Sequence, residues 1–325
     1  MSLITTGLFD KVLIEPLNQN ANKLYVVSGY ATAMMAMRHF EFAKKIKKQF
    51  SLELIVGMSP NDGIEKKNHL AFIDLQSEKY NVDFRCNYTI NRPPIHSKVY
   101  AWYNNDKPLM GFVGSANYTQ NAFSNSMREV LTLENPELCM QYYNSLIGET
   151  VNCNSENIEE HIDIFEKKIA GKKTVEDIIG EVETSLTSNY LNLDKVTLTL
   201  LDSRTGEVPT RSGLNWGQRE KRNPNQAYIN IPADIGRSGF FPDRYETFSI
   251  TTDDGKELIC VRAQDGGKGL HSTLNNSLLG EYFRYRMGLK NGQFITKEDL
   301  LRYGRTDVTI YKVDSENYIM DFSVR

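Results

Sequence analysis

A histidine and a lysine stand two residues apart at the start of an apolar, β-rich segment. His96 and Lys98 lie in the stretch PPIHSKVYAW. Side chains two residues apart on a strand point to the same face, so an imidazole and an ammonium are predicted side by side. Such a pair suits a phosphodiester, because lysine can bind a nonbridging oxygen while histidine attacks phosphorus. A strand end with two incidental polar residues is the alternative.

The next predicted strand ends in the small polar stretch GSAN, which opens a predicted helix. Ser115 and Asn117 can donate to phosphate oxygens near a helix N-terminus, where backbone amides also approach an anion. Glu129 precedes a further apolar run. Its carboxylate can accept a hydrogen bond from His96 and select the tautomer that a nucleophilic histidine needs. A solvated strand start is the alternative for Glu129.

The order of these motifs resembles that of the phospholipase D superfamily, whose pattern is HxK, a later GSxN and a following acid. The resemblance implies a phosphodiesterase that requires no metal and uses the histidine as a covalent nucleophile. It implies that His96 is the nucleophile and that Lys98 and Asn117 bind phosphate. It also implies that Ser115 supports the pocket and that Glu129 orients His96. Many members carry an Asp five residues after the lysine. Tyr103 stands there, which favours the nuclease branch and leaves a phospholipase as an alternative.

The HxK motif occurs once in the chain, since none of the other four histidines has a lysine two residues later. Double displacement at phosphorus needs a nucleophile on one side and an acid on the other. We therefore expect a homodimer with one composite active site, to which each chain contributes one His96.

The segment around the motifs alternates short β-rich runs with amphipathic helical windows, which is typical of an α/β domain. Strands are predicted at 23–28, 52–58, 82–89, 95–103 and 108–114, and helices at 31–49, 63–79, 117–124 and 136–147. An acidic segment without β-branched alternation follows, and it is predicted to form a closing helix and a linker helix. The expected domains are a catalytic α/β domain with a mixed sheet flanked by helices (1–153), a helical linker (154–193) and an all-β pseudobarrel (194–325).

The pseudobarrel is predicted from short strands with turn signals, such as VTLTLLD, TFSITT and DVTIYKV. Twelve arginines lie after residue 200 and four before it. Arginine can donate two hydrogen bonds at once to a phosphate or to the edge of a guanine. Two polar arms, RSGLNWGQREKR and QDGGKGLHSTLNN, carry side chains that can read bases. The expected DNA contacts are Arg211, Asn215, Trp216, Gln218, Arg219, Lys268, His271, Asn275 and Asn276. The basic aromatic segment YFRYR is expected to contact phosphates.

This second half resembles the C-terminal domain of the NgoFVII-type restriction endonucleases, on the stretches LNWGQR, FFP and YFRYR. In that family a phospholipase D-like nuclease is fused to a plant B3-type DNA-binding pseudobarrel whose two arms grip the major groove. The resemblance implies a sequence-specific, metal-independent endonuclease of a restriction-modification system that acts on double-stranded DNA. It also implies an ATPase and a DNA methyltransferase encoded alongside. A DNA-binding protein with an inactive nuclease domain is the alternative from another class.

A competing motif has the letters of the metal-dependent PD…(D/E)xK nucleases. Pro242 and Asp243 are followed by Asp254, Gly255 and Lys256. However, the DG pair lies between two alternating β runs, which predicts a type I′ hairpin turn instead of a metal ligand on a strand.

Composition narrows the class further. The 325 residues suffice for two domain cores. The four cysteines have no CxxC spacing, so neither a disulfide scaffold nor a metal site is predicted. No run of 18 apolar residues and no secretion signal pattern occurs. We expect a cytoplasmic protein with no cofactor and no membrane partner.

Overall fold

The chain divides into two compact units, Met1–Lys167 and Lys168–Arg325. The computed structural model describes residues 3–78, 80–124, 128–166 and 193–324. The predicted linker helix falls almost entirely outside the described residues. None of the described helices combines the length and the hydropathy of a membrane span.

The first unit is built on a mixed eight-stranded sheet, in the order β1-β8-β7-β6-β2-β3-β5-β9. Its strands are β1 (Leu3–Ile4), β2 (Lys23–Ser28), β3 (Ser51–Val56), β4 (Ile64–Glu65), β5 (Asp83–Thr89), β6 (Lys98–Asn104), β7 (Lys107–Gly114), β8 (Leu131–Glu134), β9 (Thr150–Asn152) and β10 (Ile164–Phe165). Its helices are α1 (Glu15–Asn18), preceded by the π-helical turn Phe9–Ile14, α2 (Ala33–Lys45), α3 (Ser59–Asp62), α4 (Lys66–Gln76) and α5 (Pro136–Ile147). Strands β2, β3 and β5 are parallel, and β4 pairs with β10 apart from the main sheet. The predicted α/β class is confirmed.

Two predicted helices of this unit are not formed. The stretch 117–124 consists of turns, because the backbone of Tyr118 bonds to the β2–α2 connection: its N–H donates to Ser28 Oγ at 2.9 Å, and its carbonyl accepts from Thr32 N at 3.1 Å. The described part of the predicted closing helix is a single 3₁₀ turn, Ile158–Glu160, followed by β10. The backbone of β10 pairs with β4 instead of continuing as a helix.

Successive side chains of a strand point to opposite faces of the sheet, and apolar residues cover both faces. On one face, α2 packs through Phe40, whose ring stacks on Phe50 at 4.7 Å, and Trp102 Nε1 donates to Val12 O at 2.8 Å. On the other face, α5 places Tyr143 in a cluster with Val27 and its neighbours. The sheet is therefore a rigid base for residues at its edges.

One buried histidine connects α2 to the turn that carries Asn117. His39 is fully buried, and its Nε2 donates to Leu13 O at 3.1 Å, while its Nδ1 accepts from the Tyr118 hydroxyl at 2.9 Å. The carbonyl can only accept, so Nε2 carries the proton. Burial lowers the pKa of His39 to about 3, which keeps the ring neutral.

The second unit is a seven-stranded sheet in the order β11-β16-β17-β13-β14-β15-β12. Its strands are β11 (Lys195–Thr199), β12 (Ile229–Asn230), β13 (Thr247–Thr252), β14 (Glu257–Ala263), β15 (Gly269–Ser272), β16 (Asp307–Lys312) and β17 (Asn317–Asp321). The edge strands β11 and β12 approach each other, so the sheet curls into a nearly closed barrel. This confirms the predicted pseudobarrel. The unit also contains α6 (Ala233–Arg237), α7 (Leu278–Arg286) and α8 (Lys297–Tyr303), which the sequence patterns did not predict.

Strands β13 and β14 form the antiparallel hairpin predicted around the DG pair. Of the two residues in that pair, only Gly255 has a positive φ, at 79°. A type I′ turn requires positive φ at both central residues, so the turn type differs from the prediction.

The neutral state of His39 predicts a pH-dependent stability. Folding lowers the pKa of His39, so below the usual pKa of 6.5 the unfolded chain binds more protons than the folded chain. The protein therefore becomes less stable as the pH is lowered through that range. Between pH 7.5 and 5.5 this residue should cost about 1.4 kcal/mol of the free energy of unfolding. His39→Gln should remove this part of the pH dependence, as measured by denaturant unfolding at both pH values. The exposed His161 gives a matched control in His161→Gln, and an unchanged pH dependence in His39→Gln would contradict the assignment.

Candidate active site and DNA-binding surface

Neighbouring strand ends bring the predicted catalytic residues to one edge of the first sheet. Strand β6 begins at Lys98, opposite Ser28 at the end of β2. Strand β7 ends at Gly114, opposite Leu131 at the start of β8. Residues just outside these four strand ends therefore lie at the same edge, and they include His96, Ser115, Asn117 and Glu129.

His96 and Lys98 contact each other, although His96 precedes the strand instead of lying in it. The Nζ atom of Lys98 is 3.0 Å from His96 Nδ1 and 3.2 Å from Nε2, and it donates to the carbonyl of His96 at 2.6 Å. His96 is exposed, whereas Lys98 is buried. Burial lowers the pKa of Lys98, and the charge of Glu129 opposes that shift. An exposed imidazole thus stands beside a largely desolvated amine.

The side chain of Asn117 is oriented by the end of β2. Its Oδ1 accepts from the backbone N–H of Tyr30 at 3.1 Å and lies 3.4 Å from Ser28 Oγ. Because the oxygen faces these donors, the amide nitrogen points away from them. This orientation leaves Nδ2 placed to donate to an oxyanion.

Ser115 and Glu129 contact each other at the same edge. The Ser115 hydroxyl donates to the Glu129 carboxylate and accepts from Val130 N at 3.0 Å. The backbone of Ser115 also pairs with that of Val130, which brings Glu129 over the serine. The hydrogen bond predicted between Glu129 and His96 is not formed in the described part of the chain. Glu129 instead supports the ammonium form of Lys98.

Two glycines that sequence reasoning missed allow the histidine segment to approach the sheet. A Cβ at Gly29 would lie 3.1 Å from His96 Cδ2. A Cβ at Gly57 would lie 2.1 Å from Ile95 O, and the Gly57 carbonyl accepts from Ile95 N at 2.9 Å. Their signal in the sequence was the glycine near the end of each predicted strand, in VVSGY and LIVGM.

Several residues of the predicted DNA-binding arms lie at the surface of the second unit. Arg219 is exposed, and its Nε donates to the carbonyl of the exposed Arg211 at 2.7 Å. Trp216 is half-buried, with the Arg222 guanidinium 4.1 Å above its ring. Lys268 is exposed on the second arm. These side chains are accessible to a ligand.

Asn275 and Asn276 are half-buried just before α7. The Asn275 side-chain oxygen accepts from Ser277 N at 3.0 Å, which leaves the amide nitrogen of Asn275 as a donor. The side-chain oxygen of Asn276 is buried without a hydrogen-bond partner among the described residues. Both residues stay predicted DNA contacts.

Three of the predicted base contacts make contacts within the second unit. Asn215 is fully buried; its Nδ2 donates to Pro209 O and Ile295 O, and its Oδ1 accepts from Ile295 N at 2.9 Å. Gln218 Nε2 donates to the carbonyls of Pro224 and Gly292 at 3.2 and 3.1 Å. His271 is buried within β15. Asn215 and Gln218 thus donate to backbone carbonyls of loops, and His271 is enclosed within the sheet.

Both arginines of the YFRYR segment also make contacts within the second unit. Arg284 is fully buried in α7, and its guanidinium donates to the carbonyls of Gln293, Gly280 and Pro224. The Arg286 guanidinium donates two hydrogen bonds to the Asp253 carboxylate, at 2.7 and 2.8 Å.

The residues of the competing metal-nuclease motif occupy a hairpin turn. The Asp254 carboxylate accepts from Thr252 Oγ1 at 2.6 Å and lies 3.3 Å from an Arg286 nitrogen. Within the described ranges, no three His, Cys, Asp or Glu side chains group together as metal ligands.

Solved structures that are similar to part of this chain include the following three. The phospholipase D family member Nuc from Salmonella typhimurium is 16% identical, with 46% of this chain and 97% of that chain covered and a TM-score of 0.34. NucT from Helicobacter pylori is 17% identical, with 46% and 97% covered and a TM-score of 0.33. Polyphosphate kinase from Porphyromonas gingivalis is 14% identical, with 57% and 29% covered and a TM-score of 0.33. A search of curated proteins gave no match.

Two protein-family models match the two halves of the chain. Residues 6–160 match the NgoFVII restriction endonuclease N-terminal PLD domain. Residues 189–314 match the NgoFVII C-terminal B3-like DNA-binding domain. Together the two matches cover most of the chain, in the order that the sequence predicted. The chain therefore belongs to the family of NgoFVII restriction endonucleases, nuclease hydrolases with a phospholipase D-like domain followed by a DNA-binding domain.

Proposed function

We propose that this chain is a sequence-specific endonuclease that cleaves double-stranded DNA through a covalent phosphohistidine and without a metal ion. The observation that carries the proposal is the contact of the exposed His96 ring with the buried Lys98 amine. The amide of Asn117 supports it, because its oxygen is held by the Tyr30 N–H and its nitrogen is left as a donor. The DNA-binding domain favours DNA over a lipid as the phosphodiester.

In the first step, a ring nitrogen of His96 donates its lone pair to phosphorus and forms an N–P bond. The P–O bond to the leaving oxygen breaks, and that oxygen keeps the bonding pair and takes a proton from a second histidine. Lys98 Nζ and Asn117 Nδ2 donate to the nonbridging oxygens, where negative charge grows in the transition state. These two donors replace the charge compensation that a metal ion supplies in other nucleases.

In the second step, water attacks the phosphohistidine from the side that the leaving oxygen vacated. The second histidine takes the proton of the water, the N–P bond breaks, and its electron pair returns to His96. The second histidine is His96 of another copy of the chain, because this chain carries a single HxK motif. The proposal thus includes a homodimer with a composite active site, in the cytoplasm, with an ATPase and a DNA methyltransferase as partners.

The second unit supplies the recognition of the target sequence. Its proposed DNA contacts are the surface residues of the two arms, namely Arg211, Trp216, Arg219, Lys268, Asn275 and Asn276. An exposed guanidinium can bind guanine O6 and N7 with two hydrogen bonds. Phosphate contacts add affinity that falls steeply as salt rises, through counterion release.

The first prediction tests the nucleophile. His96→Ala should abolish cleavage and leave DNA binding nearly intact, because the DNA-binding domain is a separate unit. Cleavage of plasmid DNA in excess EDTA, beside a binding assay on the same DNA, measures both. Wild-type protein that binds its target but never cuts would support the DNA-binding alternative. A strict need for Mg²⁺ in the cleavage step would contradict the metal-independent mechanism.

A second prediction concerns sequence recognition. Arg219→Ala should relax the selected DNA sequence at one base pair, at a cost of about 1–3 kcal/mol, as a residue with two bonds to guanine would. The measurement is selection from a random DNA library, for the wild type and each variant. The matched control is Arg302→Ala, which removes an exposed arginine outside the arms. Equal weakening on all sequences would make Arg219 a phosphate contact instead.

A third prediction tests the shared active site. When wild-type and His96→Ala chains are mixed equally and exchange freely, activity per chain should fall to about one quarter of the wild-type value, because random pairing gives both histidines to about a quarter of the dimers. Independent sites would give about one half. Exchange is confirmed separately with chains of two sizes, and a value near one half would rule out the shared site.

A further inference from the structure

A tyrosine lies against the proposed nucleophile, and a carboxylate holds it. The rings of Tyr30 and His96 meet edge to face, with centroids 6.0 Å apart and planes at 82°. The Tyr30 hydroxyl donates to Asp62 Oδ2 at 2.5 Å, and the other carboxylate oxygen accepts from Asn61 Nδ2 at 2.6 Å. The aromatic neighbour of His96 is thus attached at its far end.

The backbone of Tyr30 is fixed by the residues that form the active-site edge. Its N–H donates to Asn117 Oδ1 at 3.1 Å, and its carbonyl accepts from Ser28 Oγ at 2.6 Å. The ring of Tyr30 therefore leaves a backbone position that is tied to a proposed phosphate ligand. Movement of this ring is coupled to His96 on one side and to Asn117 on the other.

The short helix that carries Asp62 is also anchored. Ser59, its first residue, is buried, and its hydroxyl lies 2.8 Å from Thr89 O. The Arg92 guanidinium donates twice to Pro60 O, at 3.3 and 3.1 Å. Asp62 thus reaches Tyr30 from a fixed base, although its own side chain is exposed.

We propose that Tyr30 and Asp62 are positioning residues for His96. The ring of Tyr30 restricts the imidazole to the orientation that allows in-line attack, and Asp62 holds Tyr30 in place. The inference rests on the proposed function, and it assigns to this pair the orienting role that the sequence predicted for Glu129. The negative charge of Asp62 also lies close to a ring that becomes cationic when its lone pair forms the N–P bond.

The ionisation states fit this arrangement. The hydrogen bond from Tyr30, then that from Asn61, and the charge of His96 lower the pKa of the Asp62 carboxyl. The hydrogen bond to Asp62 raises the pKa of the Tyr30 hydroxyl. Around neutral pH the phenol therefore keeps the proton that it donates, and the carboxylate keeps its charge.

The test is a double-mutant cycle with Tyr30→Phe, Asp62→Ala and the two combined. Single-turnover cleavage at saturating DNA should fall about tenfold in each single variant, with the apparent KM unchanged. The combined variant should lose about the same tenfold and not a hundredfold, because both substitutions remove one interaction. Asp106→Ala is the matched control, since it removes an exposed carboxylate at the far end of β6, and it should keep the wild-type rate.

A second readout does not depend on cleavage. The NMR signals of the His96 ring, identified by their loss in His96→Ala, should shift by the same amount in the two single variants and the combined one. If Asp62→Ala lowers the midpoint of thermal unfolding, Asp62→Leu, which has a similar volume and no acceptor, takes its place in the cycle. Rates within twofold of wild type in both singles, fully additive losses, or unmoved His96 signals would overturn the inference. An inactive wild-type enzyme would instead overturn the proposed function, and the His96 signals would still decide whether the pair positions the ring.

Discussion

A single buried hydroxyl organises the candidate active site. Ser28 ends the central strand β2 and is fully buried. Its Oγ donates to the Tyr30 carbonyl at 2.6 Å and accepts from the Tyr118 N–H at 2.9 Å. A buried hydroxyl without partners is costly, so this position requires both contacts. The contacts fold the chain after β2 back toward the turn that carries Asn117, and that amide takes its orientation from the same place.

A buried arginine has a comparable place in the second unit. The guanidinium of Arg262, on β14, donates to the carbonyls of Pro242 and Gly236 at 3.0 and 2.8 Å and lies 3.4 Å from Gly267 O. Burial lowers the pKa of Arg262, and the charge of Asp243 opposes this effect. One side chain thus joins helix α6, the segment at Pro242 and the turn that precedes Lys268. A DNA-binding surface made of loops needs such internal support, because loops have few backbone partners of their own.

The sequence was sufficient to predict what depends on local pattern. Alternating apolar runs indicated the strands that meet at the active-site edge. The HxK spacing indicated that His96 and Lys98 lie side by side, although His96 precedes the strand. The hydrogen-bond partners of Asn215 and Glu129 were not accessible in this way, because these partners come from distant parts of the chain or from tertiary pairing. The turns at 117–124 were missed for the same reason. Tyr118 satisfies its backbone with the β2–α2 connection, and tertiary contacts outweigh a weak helical pattern.

Burial separates the polar residues of both units into two groups with different tasks. Asn215 and Arg284 are fully buried, and each donates to a carbonyl group of a loop. Arg219 and His96 are exposed, yet each makes a contact that restricts it. An exposed side chain that is already held before the ligand arrives loses less conformational freedom on binding. Residue type alone does not distinguish the groups, because arginine, asparagine and histidine occur in both. The buried polar side chains therefore support the backbone of the segments from which the exposed ones project.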